Sequence, residues 1–266
     1  AQLHVDALER AADADTAIRL NLLTGELLRE HGRAEAAEQH YTAALAIEPT
    51  HEQASAALQE LYRGGGKWQE LSSLLERKLE LQGEQLPAGE RRALLLELAD
   101  LQQHTLERAF AAVEFLARLA AEDPSDRTIQ VRLADLYEEL SIWPKLIETL
   151  EVVVEQIEAP GERIGHLLRM ARTYEHELEL PDRAIETYQA VLEHQPHNGI
   201  VLEALERLFR AHDRPDDLVQ VLRLQVELAD GDPDSCRTCL VRLGRALEQS
   251  DPEEAASCLH RARGIG

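Results

Sequence analysis

At 266 residues, with 44% apolar and 29% charged side chains, the chain has the composition of an ordered protein. Its formal net charge of −22 opposes sequence-independent binding to nucleic acid or to an anionic membrane, because both need net cationic contacts. No apolar run approaches the roughly 20 residues of a membrane span, and the charged-then-apolar start of a signal peptide is missing, which favours a cytoplasmic location.

The best helix formers (Ala, Leu, Glu, Gln, Arg) dominate while β-branched and aromatic residues are scarce, so the expected fold class is all-α. The chain opens "AQLHVDAL" without methionine, which leaves room for a processed protein or a fragment. Residues 1–14, with "LHVDALERAADA", read as the trailing helix of a preceding unit. Apolar residues three and four apart then run through "IRLNLLTGELLREHG", "AEAAEQHYTAALAIEP", "EQASAALQELYRGG" and "WQELSSLLERKLEL". Short breakers separate these segments, and connections so short make neighbouring helices antiparallel hairpins.

The four-helix pattern recurs. Leu61–Tyr62, Leu136–Tyr137 and Leu208–Phe209 are spaced 75 and 72 residues apart, as are Pro49, Pro124 and Pro196. Trp68 and Trp143 share the first spacing, and Pro215 takes that place in the third copy. The helix starts "AGERRALLLELA" and "PGERIGHLLRMA" lie 72 apart, and "DSCRTCLVRLG" is a third version. The copies span 15–88, 89–160 and 161–232, with a partial fourth over 233–266, about seven hairpins in a single array.

The first hairpin resembles a tetratricopeptide repeat, with Gly25 in its first helix, Ala37, Tyr41 and Ala44 in its second, and Pro49 closing it. The third copy repeats the pattern at Ala171, Ala184, Tyr188, Val191 and Pro196. The second does so at Ala99, Ala111, Phe115 and Pro124, once an inserted residue is allowed. The alternate hairpins are degenerate versions, with Leu71, Leu146 or Leu218 for the alanine and Leu75, Leu150 or Leu222 for the aromatic. The resemblance implies an α-solenoid, a right-handed superhelix of helical hairpins, whose first helices line a concave groove.

Several local features are candidates for chemistry. "GGGK" at Gly64–Lys67 lacks the Ser or Thr and the preceding strand of a phosphate loop. Its counterparts "EELSIWPKL" and "RAHDRPDDL" are not glycine-rich, so it reads as a helix-to-helix corner with left-handed glycines. Leu61–Tyr62 and Trp68 around it read as packing residues. Cys236, Cys239, Cys258 and His260 have an inventory that suits zinc. Cys239 falls at a packing or half-exposed position, however, and Cys258 and His260, two apart on a helix, diverge, so the expectation is small hydrophobic residues rather than a zinc site. Histidines are scattered, His194 and His197 flank a turn, and no nucleophile or acid–base cluster appears. No catalytic residue, cofactor or metal is expected.

Carried onto the resembled groove, the early and middle first helices present Glu26, Glu30, Glu60, Glu97, Asp100, Asp135, Glu138 and Glu139. The later ones present Arg169, Arg172, Arg207, Arg210, Arg242 and Arg245, in pairs three apart that share a helical face. Such an arginine ladder suits an acidic peptide or a terminal carboxylate. Pairing with Glu175, Glu203, Glu206 and Glu248 between rungs would instead make it structural. The expected function is a non-enzymatic scaffold for a protein or peptide. The alternatives are a self-assembling array associating through its ends, or a regulatory segment of a larger enzyme.

Overall fold

A computed structural model describes residues 2–265, with side chains described from residue 13 onward. Two compact units are present, Ala1–Ile129 and Gln130–Gly266. The first holds α1 (Gln2–Glu30), α2 (Ala34–Ile47), α3 (Glu52–Gly65), α4 (Trp68–Gln82), α5 (Ala88–Asp100), a π turn (Leu101–Thr105) and α6 (Ala109–Glu122). The division falls inside α7 (Arg127–Glu139). The second unit continues with α8 (Trp143–Gln156), α9 (Pro160–His176), α10 (Pro181–His194), α11 (Gly199–Ala211), α12 (Pro215–Leu228), α13 (Pro233–Leu247) and α14 (Pro252–Gly264). No strand occurs among the described residues, as the helix-forming composition predicts.

Helices pair as hairpins within each unit: α1 with α2, α3 with α4 and α5 with α6 in the first, and α9 with α10, α11 with α12 and α13 with α14 in the second. The second helix of a hairpin also packs on the first helix of the next, as α2 on α3, α4 on α5, α8 on α9, α10 on α11 and α12 on α13. This nearest-neighbour packing is that of a solenoid. The separate trailing helix expected over 1–14 does not end there: α1 runs unbroken from Gln2 to Glu30, and the side chains of its first turns lie outside the described residues.

Small residues set the hairpin spacing. Ala37, Ala44, Ala112 and Ala184 are fully buried. A Cβ on Gly25 would stand 2.8 Å from the Tyr41 ring, and one on Gly244 would stand 2.9 Å from Leu259. Side chains there would overpack the hairpins. In the degenerate hairpins Leu71, Leu75, Leu146, Leu150 and Leu222 fill the same space and are buried.

The six hairpin corners from α1–α2 to α11–α12 close in the same way, while the α13–α14 corner has no residue at positive φ. A left-handed residue follows the first helix, and the next residue caps the second. Gly32 and Gly66 hold this conformation at φ 70° and 67°, but Glu107, Ser141, Glu179 and Asp213 hold it with side chains, at φ 53°, 57°, 51° and 53°. The N–H of Lys67, Ile142 and Arg214 returns to the carbonyl of Tyr62, Tyr137 and Phe209 at 2.8–2.9 Å, which satisfies carbonyls at the helix end. Of the three glycines at this corner only Gly66 is left-handed; Gly64 and Gly65 are the last residues of α3. Trp68 is 38% exposed at the start of α4, so of the repeated aromatics here Tyr62 is core and Trp68 is not.

The inserted residue of the second copy lies in the π turn, where Leu106 and Arg108 reach back to Leu101 and Gln102. The third copy widens the same place, with Leu178 N–H on Thr173 O and Leu180 N–H on Tyr174 O. Because the extra residue is absorbed before α6 begins, the packing register moves by one. Ala112 and Leu116, both fully buried, occupy the positions expected of Ala111 and Phe115.

Candidate peptide-binding surface

One register of the first helices carries nearly all the expected groove residues. The motif is a charged residue, two apolar ones and a second charged residue, so the two charges lie on one face, with the apolar pair turned inward on every helix but α1, where Leu27 is exposed. It reads Glu26–Arg29 on α1, Glu60–Arg63 on α3, Glu97–Asp100 on α5 and Asp135–Glu138 on α7. On α9, α11 and α13 it reads Arg169–Arg172, Arg207–Arg210 and Arg242–Arg245.

Ion pairs join successive first helices through this register. In the first unit Arg29 Nη1 meets Glu60 Oε2 at 2.8 Å, and Arg63 meets Glu97. Each arginine stands on the earlier helix and its acid on the later one. The second unit has the opposite polarity. Asp135 and Glu138 on α7 hold Arg169 on α9, Glu175 on α9 holds Arg207 on α11, and Glu206 on α11 holds Arg242 on α13 at 2.7 Å. Asp100 also has an interaction partner.

The arginine ladder is therefore partly neutralised from beneath. Glu206 is 5% exposed and accepts from Arg242 Nη1, from Arg210 Nη2 at 2.8 Å and from Gln225 Nε2 at 2.9 Å. Glu175 accepts from Arg207 and from the Tyr188 hydroxyl. Burial, reinforced by the Glu175 charge, pushes the Tyr188 phenol up to about 12. Glu203 and Glu248 form no ion pair with the ladder. Arg172 and Arg245 are exposed, with no ion pair among the described residues, and Arg207 and Arg210 remain 60% exposed although paired. Six guanidinium groups thus have four acids as ion-pair partners, and Arg172 and Arg245 have none among the described residues.

The other candidates have structural roles. Lys67 Nζ is 2.6 Å from Glu38 Oε2, which occupies the cation that a phosphate loop would need. Cys239 and Cys258 are buried and Cys236 is half-buried. Cys258 belongs to the apolar cluster of α12, α13 and α14, Cys236 packs against it, and Cys239 Sγ accepts from Arg242 Nη2 at 3.2 Å. Burial pushes the Cys258 thiol up, away from the thiolate a metal would require. No three His, Cys, Asp or Glu side chains converge among the described residues, nor is any helix long and apolar enough to cross a membrane.

Two parts of this surface escaped sequence reasoning. Arg29 and Arg63 were not seen as counterparts of Glu60 and Glu97, although the 31- and 34-residue separations repeat one hairpin length. Gln225 lies on a second helix, where a lone glutamine carries no signal in the sequence.

Residues 167–198, from α9 through α10, match the family model described as tetratricopeptide repeat. A search of curated protein sequences finds no match. Among solved structures, the Naa15/Naa10 complex bound to HypK-THB contains a chain 18% identical at a TM-score of 0.55; the match covers 98% of this chain and 38% of that one. YrrB, a tetratricopeptide repeat protein with an unusual peptide-binding site, is 19% identical at a TM-score of 0.38, covering 69% of this chain and 89% of that chain. Pseudomonas aeruginosa pilF is 16% identical at 0.38, covering 95% and 93%. The match to a tetratricopeptide repeat thus covers the α9–α10 hairpin, and antiparallel hairpins of the same kind recur in both units.

Proposed function

We propose that this chain is a non-enzymatic scaffold whose second unit receives an acidic peptide segment on the first helices α9, α11 and α13. Repeats of this family are generally protein-interaction modules. The observation that carries the finer reading is the exposed, unpaired state of Arg172 and Arg245 at equivalent positions of α9 and α13. A guanidinium group that is in no ion pair can form bidentate bonds to a carboxylate without first breaking one. Arg207 and Arg210, paired but exposed, add positive potential on α11 between them.

The test replaces Arg172 and Arg245 with glutamate and measures binding to an acidic peptide library by fluorescence anisotropy over a salt series. Affinity is expected to fall about 10-fold or more, which is about 1.4 kcal/mol, and the salt dependence to flatten. Unchanged affinity and salt dependence would reject this function for the ladder.

A second reading, self-association through an end of the array, is supported by Leu20, Leu23 and Leu27 on α1, which are 57–60% exposed. At the positions equivalent to Leu23 and Leu27, Leu94 and Leu98 on α5, and Cys239 and Leu243 on α13, are buried. Sedimentation velocity across a concentration series tests this. A monomer at every concentration removes it.

A further inference from the structure

The arginines of the second unit form two rows with different partners. The earlier of each pair is tied to an acid on the preceding first helix: Arg169 to Asp135 and Glu138, Arg207 to Glu175, and Arg242 to Glu206. The later of each pair are Arg172 on α9, Arg210 on α11 and Arg245 on α13. None of these three is held by a neighbouring first helix. Arg172 and Arg245 are exposed and in no ion pair among the described residues. Arg210 keeps 60% of its side chain exposed and touches only Glu206 of its own helix. One available guanidinium group per rung therefore crosses three successive first helices.

The ion pairs of the other row bear on the spacing. Glu175 on α9 reaches Arg207 on α11, and Glu206 on α11 reaches Arg242 on α13 at 2.7 Å. Helices whose side chains meet in this way lie about 10 Å apart, so the rungs repeat at about that distance.

That repeat selects a backbone for the acidic segment. A β-strand returns a side chain to one face every second residue, about 6.8 Å, and falls out of step with the rungs at once. An α-helix would need acids about seven residues apart and about 15 residues to cross three rungs, a length at which an isolated helix is marginal in water. A polyproline-II helix has three residues per turn at about 3.1 Å each, so every third side chain returns to the same face after about 9 Å. About seven of its residues cross all three rungs, and the conformation is largely formed before binding.

We infer that Arg172, Arg210 and Arg245 read an extended segment in the polyproline-II conformation with an acidic residue at every third position, one carboxylate per rung. This rests on the reading of the second unit as an acidic-segment surface and specifies the conformation and spacing of that segment.

The probe is a labelled peptide Glu-Pro-Pro-Glu-Pro-Pro-Glu, blocked at both ends so that no terminal carboxylate competes. Its comparator, Glu-Pro-Glu-Pro-Glu-Pro-Pro, has the same composition with the acids two apart, and a third peptide is alanine-rich and helical with acids seven apart. Fluorescence anisotropy with the full chain should show the first peptide binding about 5-fold more tightly than either other, since each displaced acid forfeits one exposed ion pair. Replacing its central Glu with Gln should weaken binding to the parent about 3-fold and leave binding to the Arg210→Gln protein unchanged. Arg210 is exposed and Glu206 keeps Arg242 and Gln225, so this variant retains its packing. Equal affinity for the two spacings, tighter binding of the helical peptide, or the same loss from the central Gln in both proteins would overturn the inference. Acid-dependent binding that ignores spacing removes the period alone and leaves the ladder standing. Binding unaffected by Arg172→Glu/Arg245→Glu removes the ladder itself.

Discussion

Replacing Glu206 with glutamine should weaken the second unit and strengthen its hold on an acidic ligand at once. The carboxylate accepts from Arg242, Arg210 and Gln225 at 2.7–2.9 Å while it is itself only 5% exposed. A glutamine keeps one acceptor oxygen but turns an amide donor toward groups that are themselves donors. Hydrogen bonds to a charged group contribute about 1.5–3 kcal/mol each, and breaking a buried pair costs about 3–5 kcal/mol. Arg210, 60% exposed, recovers most of its loss in water, so the net cost should be about 2–3 kcal/mol. Glu60→Gln is the control: it breaks the Arg29 pair, whose partners are 40% and 65% exposed. It should change stability by no more than about 0.5 kcal/mol. Urea unfolding followed by circular dichroism, with hydrogen exchange to localise the loss to α11–α13, separates the two. The same Glu206→Gln protein should bind the acidic peptide library more tightly, because Arg210 and Arg242 no longer have a competing carboxylate. Equal costs for the two variants, or weaker peptide binding by Glu206→Gln, would refute the idea that buried acids hold the ladder together and limit its charge.

The remaining predictions concern Tyr188 and the hairpin corners. The Tyr188 phenol is raised in the folded state to about 12, so its contribution is whole below pH 10 and is lost as pH rises through about 12. Over that window the parent should lose about 2 kcal/mol more stability than Tyr188→Phe; parallel alkaline unfolding curves would contradict it. At the corners, Gly66→Ala should cost about 1 kcal/mol because the position needs φ 67°. Asp213→Gly, relieving a side chain held at φ 53°, should gain up to about 1 kcal/mol. Thermal melts of both decide this, and equal shifts of the same sign would count against the corner geometry.

Fold class, hairpin number and most helix limits were legible because the apolar spacing and the 72–75-residue period come from packing, which writes itself into the sequence at every copy. The π turn was legible only as an extra residue. Its effect, the move from Ala111 and Phe115 to Ala112 and Leu116, depends on where the helix absorbs the insertion, and no residue type marks that place. The left-handed corners were half legible: glycine advertises Gly66, but Ser141 and Asp213 adopt the same conformation under the pull of the helices around them. The arginines stood out, and Glu175 and Glu206 were among their candidate partners. Which acids would serve was not readable, because Glu203 and Glu206 lie on one helix and only burial separates them.

The reversal of ion-pair polarity between the two units bears on how a repetitive chain keeps its order. Hairpins of one architecture present nearly interchangeable apolar faces, which invites stacking in the wrong sequence. Exchange of the α3–α4 hairpin with α11–α12 would set Arg207 against Arg29 and Glu60 against Glu175, like charges at two of the four new junctions. The charges on the first helices thus set a penalty on such an exchange that the apolar faces alone would not.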